Sequence, residues 1–130
     1  MELPEFAPGL SARVELTVTD ADTAQSLGSG DVPVLATPRV LALAEAATVA
    51  ATARHLPGGI TTVGVRAAID HHAPAAVGRT VTAQAALTRV DGRTLAFDVT
   101  VRDGATVIAE VRIDRAIVDR QRFIAKALGD

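Results

Sequence analysis

A chain of 130 residues, 48% hydrophobic and 22% charged, suits one packed domain over 1–130 and gives no reason to expect long disorder. The net charge of −2 argues against a nucleic-acid partner, and three phenylalanines without Tyr or Trp leave no platform for stacking bases. The absence of cysteine excludes disulfides and thiolate chemistry; with no apolar run of membrane-spanning length and an acidic, proline-broken start at Met1-Glu2-Leu3-Pro4-Glu5, the expectation is a cytoplasmic protein with no membrane partner.

Residues 1–10, with Pro4, Pro8 and Gly9, read as an extended lead-in. Arg13 to Thr19 alternates, Val14, Leu16 and Val18 on one face, and predicts a half-buried strand. Asp20 to Asp31, with Gly28-Ser29-Gly30, predicts a loop that lacks the spacing of a phosphate-binding loop. Thr37-Pro38 then marks a helix start, Thr as N-cap and Pro at the first helical position. The helix runs over about 38–55 and stops at Pro57-Gly58-Gly59. It is apolar almost all round, as expected of an enclosed helix.

The remainder alternates as strand. Thr61 to His71 and Thr80 to Val90 come first, then two segments behind the hairpin signals Asp91-Gly92 and Asp103-Gly104. A charged segment within a C-terminal tail over 119–130 closes the chain. One strand, one long apolar helix and four further strands predict an α+β protein: a curved antiparallel sheet of about five strands wrapped around the helix, which is the hot-dog fold. One helix covers part of such a sheet, so a homodimer, or a tetramer built from it, is expected.

Glu45 stands out because its helical neighbours Leu41, Ala42, Thr48 and Val49 include no cation, and a carboxylate sealed among them would be costly. It is either a working acid or the one exposed stripe of the helix. Counting by twos through Val63, Val65, Ala67 and Ile69 puts His71 on the apolar face and His72 on the other. His71 is then either a core histidine or an acid–base partner for Glu45. Thr37 sits where a helix N-terminus offers free N–H groups to a developing oxyanion. It lies about 12 Å of helical rise from Glu45, so a shared site needs a bend or a second subunit. Gly64 interrupts its strand, as a bulge or a close backbone approach would. Arg112, Arg115, Arg120, Arg122 and Lys126 make the C-terminal end basic, which fits coenzyme A phosphates or a solvated edge. His71, His72 and Glu45 cannot converge on a metal while the two histidines face opposite ways.

Gly28-Ser29-Gly30-Asp31-Val32-Pro33-Val34-Leu35-Ala36-Thr37-Pro38, Glu45, Val63-Gly64-Val65, His71-His72-Ala73-Pro74, Asp91-Gly92-Arg93 and Val118-Asp119-Arg120-Gln121-Arg122-Phe123, in this order, resemble the fluoroacetyl-CoA-thioesterase-like family of hot-dog proteins. The resemblance implies an acyl-CoA thioesterase with catalytic Thr37, Glu45 and His71. It also implies that the Gly64 backbone meets the thioester carbonyl, and that no cofactor is needed beyond the coenzyme A of the substrate. No aromatic residue precedes Thr37 closely enough to gate a very small acyl group, so a short or medium acyl chain is expected rather than fluoroacetyl. The competing readings are a hot-dog hydratase or dehydratase using Asp70 and His71, and a non-catalytic acyl-CoA or small-ligand binder.

Overall fold

The computed structural model describes residues 1–129; Asp130, the last residue of the expected tail, lies outside them. Strands β1 (Ser11–Thr17), β2 (Ile60–His71), β3 (Thr80–Asp91), β4 (Thr94–Asp103) and β5 (Thr106–Asp119) form one antiparallel sheet in the order β1-β3-β4-β5-β2. Both Asp-Gly turns are hairpins, with Gly92 and Gly104 at φ 59, the left-handed conformation that tight turns require. The one-turn helix α1 (Ala24–Leu27) interrupts the segment expected as loop, capped by the Thr23 side chain. The long helix α2 (Thr37–Thr52) crosses the concave face, and α3 (Arg120–Ala127) closes the chain behind the capping residue Asp119.

The core lies between α2 and the sheet. Val40, Leu43, Ala44 and Ala47 pack on Val81, Ala83, Ala85, Val99, Val101, Val111 and Ile113. A second cluster joins Ala51 to Leu87, Leu95, Phe97 and Ile117. Alanine on the helix lets it sit close to the sheet, which compensates for the scarcity of aromatics.

Three local expectations are corrected. The N-cap is Ala36 and Thr37 is already helical, because the threonine hydroxyl is engaged elsewhere. The helix is enclosed on one side only: Ala42, Ala46, Val49 and Ala50 remain exposed, since one sheet covers one flank. A bulge between Gly64 and Arg66 leaves Val65 unpaired with β5 and reverses the facing of everything before it. Thr62 and Gly64 therefore face the helix with Ala67, Ile69 and His71, opposite the inward residues Ile117, Arg115, Ile113, Val111 and Ala109 of β5. Val63, expected inward, faces away, and Val65 is 59% exposed.

Candidate active site

At the N-terminal end of α2, Thr37 Oγ1 lies 2.8 Å from His71 Nδ1. The backbone N–H of His72 donates to Ile108 O, which anchors the end of β2 and sets the two histidines on opposite faces. His72 turns outward and its Nε2 sits 3.2 Å from Glu110. His71 Nε2 is buried and has no hydrogen-bond partner. Burial pulls the His71 imidazole below the usual histidine value and the adjacent His72 adds to this, while the Ala73 backbone opposes. At neutral pH the ring is uncharged, able to accept a proton at one nitrogen and donate at the other. An open cleft of about 340 Å³ beside the pair is lined by Ala24, Val32, Val34, Leu35, Ala73 and Pro74.

Two helical turns on, Glu45 Oε2 lies 3.3 Å from Arg115 Nη1. The guanidinium is held from behind: Nε donates to Thr62 Oγ1 at 2.9 Å and Nη2 to the Thr62 carbonyl at 3.0 Å. Only 7% of the Arg115 side chain is exposed, against 42% for Glu45. Burial draws the Arg115 pKa down, and Glu45 opposes that shift. Glu45 thus has a cation after all, delivered from β5 rather than from its own helix. In the sequence Arg115 stands only as part of a basic C-terminal end. Its signal was an arginine standing at an inward position of the alternation Val111, Ile113, Ile117.

Gly64 closes this cluster. A Cβ there would stand 2.7 Å from Glu45 Oε2, so the carboxylate rests against bare backbone, and a side chain at this position would displace it. An acid pinned beside a main-chain segment, with a fixed cation behind it, can present one oxygen to a water or a carbonyl carbon.

The chain therefore joins Thr37 to His71 and Glu45 to Gly64 and Arg115, but no hydrogen bond links the two groups among the described residues. They are about 12 Å apart along α2 and about 20 Å apart along β2. The expected pairing of His71 with Glu45 does not occur within one chain. No group of three or more His, Asp or Glu side chains among the described residues could hold a metal ion. No helix among them is long and apolar enough to cross a membrane.

A five-stranded antiparallel sheet curved over one long helix defines the hot-dog fold, which the thioesterases found by comparison share. The model of the fluoroacetyl-CoA-specific thioesterase family matches residues 18–121, and the chain belongs to that family. The fluoroacetyl-CoA thioesterase of Streptantibioticus cattleyicolor is 36% identical over 93 residues, 72% of this chain and 67% of that protein. The solved structure of the fluoroacetyl-CoA thioesterase FlK superposes with a TM-score of 0.89 at 28% identity, covering 97% of this chain and 98% of that one. A hot-dog-like protein from Thermanaerovibrio acidaminovorans, 24% identical, shares the fold at a TM-score of 0.87 over 95% and 92% of the two chains. The protein is accordingly an acyl-CoA thioesterase.

Proposed function

We propose that the protein hydrolyses a short- or medium-chain acyl-CoA to the free acid and coenzyme A, using Thr37, Glu45, His71 and the Gly64 backbone. The observation that carries this reading is the Glu45 carboxylate held against Gly64 by the buried Arg115. In the reaction, an oxygen that ultimately comes from water adds to the thioester carbonyl, the C–S bond breaks, and the departing thiolate takes a proton to become the thiol of coenzyme A. Glu45 either deprotonates the attacking water or attacks the carbonyl itself to form a mixed anhydride that water then hydrolyses, and both routes need the same oxygen in the same place. Donors at Gly64 and at the start of α2 suit the developing oxyanion. The neutral His71, oriented by Thr37, moves a proton at the reacting centre. A thiolate leaves readily, so a single carboxylate suffices as the driving base.

The aliphatic cleft beside Thr37 and His71 supports the acyl assignment: it has room for several carbons and no aromatic wall against them. The proposed enzyme is a homodimer in which one subunit supplies Thr37 and His71 and the other supplies Glu45 and Gly64. The separation of the two groups along α2 and β2 supports this, as does the exposure of Gly64 to Ala68 on the sheet edge. The test is release of free thiol from acyl-CoAs of two to ten carbons. Wild type should turn over at least one of them, and Glu45→Gln should bind it without turnover. Unchanged turnover by Glu45→Gln removes the carboxylate from the mechanism; tight binding with no release by wild type makes the protein a binder.

A further inference from the structure

Thr62 is the one buried residue of β2, and it is polar. A position that served the core alone would favour valine, which has the same branched shape and no hydroxyl to satisfy. Among the described residues the Thr62 hydroxyl has one partner, the Arg115 guanidinium.

The register explains why the two meet. Thr62 stands opposite Ile117 and Gly64 opposite Arg115, so Thr62 and Arg115 are diagonal neighbours on the helix-facing side of the sheet. Gly64 offers no side chain to hold the arginine from directly across, and the arginine leans along the sheet to Thr62 instead. Its Nε and Nη2 form one edge of the planar guanidinium, and both donate to Thr62, at 2.9 and 3.0 Å. Two bonds to one residue fix the plane as well as the place, and they leave Nη1 to Glu45. That last contact, at 3.3 Å, is longer than the other two and longer than the roughly 2.7–2.9 Å of a tight charge-assisted bond. The strand therefore sets the arginine, and the carboxylate rests against a cation already in place.

We infer that Thr62 is a positioning residue: through Arg115 it decides where the Glu45 oxygen stands beside Gly64. The inference rests on the proposed role of Glu45 in hydrolysis. A Cβ on Gly64 would lie 2.7 Å from Glu45 Oε2 and 3.5 Å from Arg115 Nη1, so both groups border the same bare stretch of backbone. Held by the Thr62 carbonyl alone, the guanidinium would be free to pivot. It would enter that space or turn out past the exposed residues 64–68, and the carboxylate would move with it.

Thr62→Val keeps the shape of the side chain and removes the hydroxyl. It should lower kcat by about tenfold to a hundredfold and leave KM within about twofold, since the acyl-CoA still binds while the reacting oxygen is misplaced. Thr62→Ser, which keeps the hydroxyl, should bring kcat back to within about threefold of wild type. A loss in Thr62→Ser equal to that in Thr62→Val overturns the inference. Arg115→Met should be at least as slow as Thr62→Val. Adding Thr62→Val to it should change kcat by less than about twofold, because the residue through which Thr62 acts is gone. Losses that multiply also overturn the inference.

A readout independent of turnover is the Arg115 Nε–H proton, identified by its absence from Arg115→Met. Its exchange with water should be about tenfold faster in Thr62→Val than in wild type. Equal exchange means that the hydroxyl does not hold the arginine, and the inference fails. Faster exchange with unchanged kcat, in an enzyme that Glu45→Gln inactivates, leaves Glu45 its role and denies Thr62 one. Full turnover by Glu45→Gln removes the catalytic reading and the positioning role with it, while the exchange rate still reports the clamp.

Discussion

Gly64 and Glu45 are chemically one unit. The carboxylate lies where a methyl group on residue 64 would have to go, at 2.7 Å from Oε2. The obstructed atom is the end of a flexible side chain, so Gly64→Ala should be accommodated by swinging Glu45 away rather than by unfolding. A displacement of about 1 Å at a reacting group costs about a hundredfold in rate. We therefore expect Gly64→Ala to lower kcat by about that factor while stability stays within about 1 kcal/mol of wild type. Steady-state kinetics with a urea titration would separate the two. His71 makes a prediction with a sign. Burial, first among its causes, holds the folded-state pKa below the value near 6.5 that an exposed histidine has. As pH falls from 6.5, the unfolded chain takes up the proton first. Stability is thus complete above 6.5 and is lost as pH drops toward the folded value. Thermal melts between pH 7.5 and 5.5 should fall further for wild type than for His71→Ala. His71→Ala should also lose most activity, whereas His72→Ala, on the outer face beside Glu110, should lose little. Equal losses would mean that the facing of these two residues is misassigned.

At the scale of elements, the start of α2 is held by a buried aspartate well before it. Asp22 accepts from the Thr19 N–H and hydroxyl at 2.8 Å and from Arg39 Nε at 2.9 Å, and its carbonyl accepts from Ala36 N–H. Burial alone would raise its pKa, but these donors together hold it below the usual carboxylate value of 3.8. Its stabilisation is present above 3.8 and disappears as pH falls below that value. Asp22→Ala strips three donors of their acceptor and should cost about 2–4 kcal/mol at neutral pH, read as a shift in the denaturant midpoint with unchanged slope. The same network explains why Thr37 is free to meet His71: the helix entry is fixed by Asp22 and Arg39 and not by a threonine cap. None of this was visible in sequence, because each bond joins residues whose proximity depends on the fold. What was legible had local causes. Alternation and Asp-Gly pairs foretold β3, β4 and β5, and the alanine-rich run between Thr37 and Pro57 foretold α2. The bulge at Val65 escaped detection because one extra residue changes no composition; Gly64 alone hinted at it. The facing of His71 came out right because the bulge lies before Ala67 and the count from there onward is regular. Glu45 looked unpaired because its cation comes from 70 residues away.

For the whole molecule, the division of the site between two ends of β2 makes a prediction that needs no structure to test. If one subunit provides Thr37 and His71 and the other Glu45 and Gly64, Glu45→Gln and His71→Ala damage different halves of each composite site. In a heterodimer of the two variants, one site receives an intact His71 from the first chain and an intact Glu45 from the second. The other site receives both defects. Unfolding an equal mixture and refolding it randomly makes half the dimers mixed, each with one working site of two, so about one quarter of wild-type activity should return. Either variant refolded alone should stay inactive, since two copies of one defect leave no complete site. If all four residues served a site within a single chain, mixing would restore nothing. The recovered fraction thus distinguishes a shared site from a private one by count, independently of which acyl-CoA is turned over or how fast.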